Sequence, residues 1–107
     1  MTKSCKTLVK VLVDNAICDN MIVSVNDGEE WVVKFSNNVK EIMDALNTTE
    51  DGDLLVFRDA DDKGQKIGWI QLIWDGMEGM EVFADWSDND AINALVDWAE
   101  LQIEICA

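Results

Sequence analysis

The chain has 107 residues, a length that fits one domain with its own hydrophobic core. Its 22 acidic and 8 basic residues give a formal net charge of −14, which argues against direct binding to nucleic acid or anionic membranes because both need a basic footprint. Hydrophobic residues make up 49% of the chain, too many for a disordered acidic tail, so we expect residues 1–107 to form a single acidic domain.

The cysteine and histidine content limits the compartment and the chemistry. The three cysteines, Cys5, Cys18 and Cys106, form no C-x-x-C pair, which favours reduced, buried thiols in a cytoplasmic protein, in the host cytoplasm if a phage encodes it. Because the chain has no histidine, it lacks the base of a Cys–His or Ser–His catalytic pair. Lys10 and Asp14 interrupt the apolar N-terminal stretch, so we do not predict a signal peptide.

The first half of the chain predicts a helix, a hairpin and a second helix. Apolar residues recur at helical spacing over residues 4–19. Two apolar runs, "MIVSV" and "EWVVKF", flank the turn sequence "NDG", which predicts a β-hairpin because glycine supplies the positive φ that such turns need. Along the second run, Trp31, Val33 and Phe35 alternate with Val32 and Lys34. Ser36 is then placed to cap a helix over residues 37–47.

The second half predicts a hairpin, a further strand and a third helix. The runs "LLVFRD" and "KIGWIQLIW" flank "ADDKGQ", with Gly64 in the left-handed position, and "MEVFADW" adds a strand. Ser87 is placed to cap a helix over residues 88–104. Its predicted buried face comprises Ala91, Ile92, Leu95, Trp98, Ala99 and Ile103. The order α-ββ-α-βββ-α predicts an α+β domain with an antiparallel sheet of about five strands and helices packed on it.

The strand "IGWIQLIW" is apolar on both faces. Trp69 and Ile73 lie on one face, and Ile70, Leu72 and Trp74 lie on the other. This pattern is typical of a central strand covered on both sides. If the helices cover only one face, we expect the other face to meet a further element or a partner chain. The five tryptophans are predicted mainly as core, with one or two exposed as interface anchors, since stacking on nucleic-acid bases would need cations nearby and the sequence places none there.

A search for reaction chemistry finds no convincing motif. Residues 59–64, "DADDKG", have acids and a glycine where an EF-hand calcium loop has them. However, Lys63 occupies a ligand position, Ile70 replaces the final glutamate, and the flanking segments are predicted strands. The paired carboxylates Glu29 and Glu30 lie in a polar turn, and no glycine-rich phosphate loop precedes a helix. We therefore predict no catalytic residue, no metal and no cofactor, which describes a non-enzymatic protein.

Acidic residues are concentrated near the C-terminal end. Residues 67–107 hold nine anions and no cation. Within "DNDAINALVDWAELQIE", polar residues recur every three or four positions and therefore share one helix face. Like charges at this spacing destabilise a helix by about 0.3 kcal/mol per pair, so local stability does not explain the pattern, although an ordinary solvated face is the alternative interpretation. The predicted contact surface comprises Asp88, Asp90, Asp97, Glu100 and Glu104, followed by Asp75, Glu78, Glu81 and Asp85.

An unpaired acidic face on a folded body predicts a protein that binds a basic surface, above all that of a nucleic-acid-binding protein. In physical type, the chain resembles the small acidic proteins that phages and mobile elements use against host defences, anti-CRISPR and anti-restriction proteins among them. No sequence motif carries this resemblance. It implies an inhibitor that occupies a basic nucleic-acid site or a basic regulatory surface. If the carboxylates reproduce the spacing of phosphates, the inhibitor would be a nucleic-acid mimic.

Two other binding functions fit the same sequence. An immunity protein would neutralise a basic toxin, such as a nuclease, with the same carboxylates. A dimeric acidic chaperone or adaptor would instead use an apolar sheet face and would form a homodimer. Charge reversal on the last helix would abolish binding by the immunity protein and spare the chaperone.

Overall fold

The computed structural model describes residues 3–46, 52–61, 64–74 and 82–106, and within these ranges it describes the side chains of residues 6–102. In the described ranges, three helices and five strands follow the predicted order α-ββ-α-βββ-α, and the α+β class is confirmed. The elements are α1 (Lys3–Cys18), β1 (Met21–Asn26), β2 (Trp31–Ser36), α2 (Val39–Leu46), β3 (Gly52–Asp59), β4 (Lys66–Ile73), β5 (Phe83–Trp86) and α3 (Asp90–Cys106).

The five strands form one antiparallel sheet in the order β2-β1-β3-β4-β5. Val25 of β1 pairs with Leu55 of β3, which in turn pairs with Ile70 of β4. The central strand is therefore β3. The strand β4, predicted as central from its two-sided apolar pattern, is an interior strand paired with β3 on one side and with the edge strand β5 on the other.

All three helices contribute to one hydrophobic core on one face of the sheet. The strands contribute alternate residues to this core, among them Val23, Val25, Leu55, Phe57 and Ile70, all fully buried. The residues between them stand on the opposite face, and the core cluster contains none of them. We call this surface the open sheet face. It comprises Ile22, Ser24, Leu54, Val56, Arg58, Trp69, Gln71 and Ile73.

The tryptophans divide between core and surface. Trp74 is buried, and its Nε1 donates a hydrogen bond to the Asp53 carboxylate (2.8 Å). Trp31 and Trp98 are each 43% exposed. The prediction of Trp98 as a buried residue is wrong. The buried residues of α3 are Ile92, Leu95, Val96 and Ala99. Trp98 lies about 110° around the helix from the centre of that row, so its ring points toward solvent.

The predicted capping residues of α2 and α3 are also wrong. Each helix begins three residues beyond the expected serine and is capped by an asparagine, Asn38 for α2 and Asn89 for α3. The Oδ1 of each asparagine accepts a hydrogen bond from the backbone N–H three residues on, at 3.2 Å and 2.9 Å respectively. Ser36 and Ser87 make other contacts, because asparagine is at least as good an N-cap as serine and stands closer to the apolar run.

The end of α1 corrects another expectation. Cys18, predicted as a buried thiol, is exposed, because it follows the fully buried Ala16 by two residues and therefore points away from the core. The side chains of Cys5 and Cys106 lie outside the described residues. In the described part of the chain, none of the helices is both long enough and apolar enough to traverse a lipid bilayer.

Candidate protein-binding surface

The junction between β5 and α3 fastens the last helix to the sheet. The Ser87 N–H donates to the Trp69 carbonyl (3.1 Å), and the Ser87 Oγ accepts from the Trp69 N–H (3.0 Å). The Asn89 side-chain amide donates to the Ile67 carbonyl (3.0 Å). These bonds satisfy backbone groups of Ile67 and Trp69, which precede the part of β4 that pairs with β5. They also fix the position at which α3 begins.

Two further contacts hold the first turns of α3. A methyl group at Gly68 would collide with Ile92, so β4 and α3 approach each other more closely than any side chain at this position would allow. The Trp86 Nε1 donates to the Asn93 Oδ1 (3.0 Å), and the Asn93 amide donates to the Asp88 carboxylate (3.0 Å). Asn93, one of the polar residues that defined the predicted stripe, therefore has a structural role between β5 and α3.

Three of the predicted carboxylates lie together on the solvent side of α3. Asp90, Asp97 and Glu100 are all exposed, and we call these three residues the α3 acidic face. Along the helix axis, Asp97 lies about 10 Å from Asp90 and about 5 Å from Glu100. The only ion pair between described side chains joins Lys10 to Asp14 in α1 (3.1 Å), so no described lysine or arginine pairs with the α3 acidic face.

An apolar strip runs beside the α3 acidic face. Trp98 is 43% exposed and Leu101 is 45% exposed, and Ala94, one turn before Trp98 and two turns before Leu101, is exposed as well. Exposed aromatic residues next to charged ones are typical of protein interfaces. Sequence analysis missed this strip because it assigned Trp98 to the core. In a helical projection, residues 94 and 101 fall opposite the buried row, but Trp98 falls at about 110° from its centre, so periodicity alone allows Trp98 to be placed with the core.

Of the other predicted contact residues whose side chains the structure describes, one lies beside α3 and one does not. Asp88 is exposed just before α3 and is held by Asn93. Asp85 pairs with Gln71 in the register of β4 and β5, so it stands on the open sheet face rather than beside α3. Glu104 belongs to α3, but its side chain lies outside the described residues. Three other predicted residues lie wholly outside the described residues: Asp75, Glu78 and Glu81.

The two predicted turns have the expected glycine geometry. Gly28 and Gly64 both have positive φ, +102° and +72°, as the turn sequences predicted. In the first turn, the Asp27 carboxylate accepts hydrogen bonds from the backbone N–H groups of Glu29 and Glu30, each at 2.9 Å. The hydrogen bonds from Glu30 and then Glu29 lower the pKa of Asp27 from its ordinary value, because they favour the ionised carboxylate.

No protein-family model, curated protein or solved structure matches the chain. Within the described residues, no group of three or more acidic or cysteine side chains is arranged to hold a metal ion. The arrangement on α3 consists of fixed carboxylates and exposed apolar side chains on a rigid support. Such a surface is suited to contact with a basic, partly apolar surface.

Proposed function

We propose that this chain is a non-enzymatic binding protein that inhibits a nucleic-acid-handling host protein by docking on its basic surface. One observation carries the proposal: Asp90, Asp97 and Glu100 are exposed together on a helix whose opposite side is anchored in the core. The type of inhibitor is that of the small acidic anti-CRISPR and anti-restriction proteins of phages and mobile elements. The immunity protein, with a basic toxin as partner, is the variant of this function that uses the same surface.

The position of the charges supports a role in binding rather than in helix stability. Asp90 lies in the first turn of α3, where a negative charge is favourable because it faces the positive end of the helix dipole. Glu100 lies three residues after Asp97, one turn along the helix, so the two carboxylates repel each other. A basic partner would relieve this repulsion on binding.

The charge density favours docking over full mimicry of a duplex. The α3 acidic face presents about one carboxylate per 5 Å of helix axis, whereas B-DNA presents about one charge per 1.7 Å. Trp98 and Leu101 add apolar area that a phosphate backbone lacks. We therefore propose a mixed interface in which the carboxylates steer and align the partner and the Trp98 ring supplies an anchor.

The first experiment identifies the partner and its mode of contact. The immobilised chain is exposed to host lysate and eluted with a salt gradient, because charge pairs weaken as the Debye length falls from about 10 Å to about 3 Å between 0.1 M and 1 M salt. The expected eluate is a nucleic-acid-binding protein that added DNA or RNA displaces. Elution independent of salt would contradict the proposal. Recovery of a basic toxin that the chain neutralises would identify the chain as an immunity protein.

The second experiment tests the surface with charge reversals. The double variant D97K/E100K should bind the identified partner about 100-fold more weakly, equivalent to about 2.7 kcal/mol. The matched control is E41K/D44K on α2, which reverses two exposed charges away from α3 and should change affinity by less than about threefold. Equal losses in both variants would indicate only a general dependence on net charge and would remove α3 from the proposal.

The open sheet face favours one other function, the dimeric chaperone or adaptor. Ile22, Leu54, Trp69 and Ile73 are half-buried on a face that contributes nothing to the helix-covered core. Under this alternative, light scattering gives a dimer, and D97K/E100K binds its client as well as the unmodified chain does. A monomer that loses binding on charge reversal decides for the inhibitor.

A further inference from the structure

The edge strand β2 departs from regular pairing at two places. Val25 pairs with Val33 and Val23 pairs with Ser36, so two residues of β1 lie opposite three residues of β2. Asn26 pairs with Trp31, so the next single residue of β1 lies opposite two residues of β2. Each shift inserts an extra residue and turns the neighbouring side chains, as β-bulges do. As a result, four of the six residues of β2 are exposed: Trp31, Val32, Lys34 and Phe35.

Phe35 has a backbone conformation that is rare for its residue type. Its φ is +52°, in the left-handed region, where bulky residues are uncommon because of steric strain. The Phe35 N–H donates to the Oγ of Ser24, a buried residue of β1 (3.0 Å), and this bond helps to hold the conformation. Phe35 is nevertheless 57% exposed, so the strained backbone is not compensated by burial of its side chain. Strain of this kind is concentrated at functional sites.

Two cations lie beside this exposed ring. The Arg58 guanidinium stands 5.5 Å from the centre of the Phe35 ring, a cation–π distance, and its Nη1 donates to the Gly64 carbonyl (3.1 Å), which holds it in place. Lys34 precedes Phe35 on the strand. Together with Ser24 and Trp31, these residues line an open groove of about 240 Å³, which we call the β2 groove. None of the described residues that line it carries a carboxylate.

We propose that the β2 groove binds a small planar aromatic group carrying one anionic substituent. Trp31 and Phe35 offer ring faces for stacking, and Lys34 and Arg58 offer positive charge for the anion. The net charge of −14 opposes an extended polyanion, so the ligand is a single anionic unit rather than a nucleic-acid strand. No stacking surface was predicted from the sequence for lack of cations near the tryptophans, but in the fold Lys34 and Arg58 line the same groove as Trp31. The groove is separate from the α3 acidic face, so this proposal stands or fails independently of the proposed function.

The test separates the ring from the charge. The full chain, with ¹⁵N-labelled tryptophan, is titrated with adenosine 5′-monophosphate and with 2-naphthoate, and the Trp31 indole resonance is assigned by its loss in W31F. Adenosine supplies a ring without charge, and inorganic phosphate supplies charge without a ring. Saturable shifts of the Trp31 resonance are expected with one or both anions, and adenosine and phosphate should each bind at least about tenfold more weakly. Saturation by only the nucleotide or only the carboxylate supports the proposal and identifies the source of the ligand.

Three variants test which groups are responsible. R58Q and F35N should each weaken binding about tenfold, and F35N should still fold because asparagine tolerates the left-handed conformation. K40Q, which removes a charge from α2, should leave binding within about twofold. Retained affinity in R58Q, phosphate binding as tight as nucleotide binding, or no saturable shift up to about 10 mM ligand would each overturn the proposal.

Discussion

The α3 acidic face and the β2 groove differ in the kind of instability that each tolerates. On α3, the backbone is a regular capped helix, and the unfavourable term is electrostatic, since Asp97 and Glu100 repel each other. On β2, the charges are well placed beside an aromatic ring, and the unfavourable term lies in the backbone at Phe35. Because local rules tend to be broken where a surface is used for something other than stability, each departure identifies a candidate functional surface on different physical grounds.

The supports of the two surfaces also differ. α3 contributes Ile92, Leu95, Val96 and Ala99 to the core and lies close against β4 at Gly68. β2 is an edge strand, paired on one side only and interrupted by two register shifts. We therefore expect the α3 acidic face to be a rigid docking surface and the β2 groove to depend on a few local contacts. Four predictions test this contrast.

The largest expected effect concerns the support of α3. In G68A, the added methyl group would meet Ile92 and Ser87, so the helix must shift, and we expect a loss of about 2 kcal/mol in the free energy of unfolding. The measurement is denaturant unfolding, with I92A and the double variant G68A/I92A completing a cycle. Because I92A removes the obstructing atoms, G68A should cost less in that background. Equal costs in both backgrounds would show that Gly68 and Ile92 are not coupled.

The second prediction concerns strain in β2. F35N should stabilise the protein by about 0.5 kcal/mol, because asparagine adopts positive φ more readily and the lost ring was largely exposed. The matched control is V32N, at a neighbouring exposed position, which should destabilise by a similar amount because valine suits a strand better than asparagine does. If F35N is as destabilising as V32N, the backbone at Phe35 stores no strain.

The main elements could be predicted from local sequence. Both turn glycines, Gly28 and Gly64, were identified because left-handed positions have a narrow residue preference. The alternation of Trp69 and Ile70 correctly assigned them to opposite faces of the sheet. These features depend on residues close together in the chain, where periodicity and turn chemistry are informative.

The features that sequence analysis missed depend on contacts between distant segments. The bulges of β2 follow from its register against β1, and the position of Arg58 over Phe35 joins residues 23 apart in the chain. The exposure of Trp98 depends on which side of α3 the core takes, and periodicity alone allowed it to be placed on the wrong side. The concentration of acidic residues near the C-terminal end also grouped Asp85 with the α3 carboxylates, although the strand pairing puts it on the open sheet face.

The third prediction examines the repulsion on α3. E100Q should raise the free energy of unfolding by about 0.3 kcal/mol, because it removes a like-charge neighbour of Asp97. D90N, on the same helix, should lower it by about 0.3 kcal/mol, because Asp90 lies in the first turn and interacts favourably with the helix dipole. Opposite signs measured by denaturant unfolding at low salt would confirm that the two carboxylates differ. A stabilising effect of both substitutions would mean that α3 simply carries too much negative charge.

The smallest expected effect uses Asp27 as the counterpart of the α3 carboxylates, since its charge is stabilised by backbone N–H groups of the hairpin that carries β2. Because the pKa of Asp27 is lowered in the folded state, its contribution is present above the unfolded pKa of about 3.9 and is lost as pH falls through the folded value. D27N keeps an oxygen acceptor but does not titrate, so the stability difference between the unmodified chain and D27N should shrink as pH falls from about 5 to about 2. The other carboxylates titrate in both proteins and cancel in this difference. An NMR titration of Asp27 provides the direct check. A pKa at or above the ordinary value would mean that the backbone N–H groups of the turn do not stabilise the carboxylate, and Asp27 would then not differ from the α3 carboxylates in this respect.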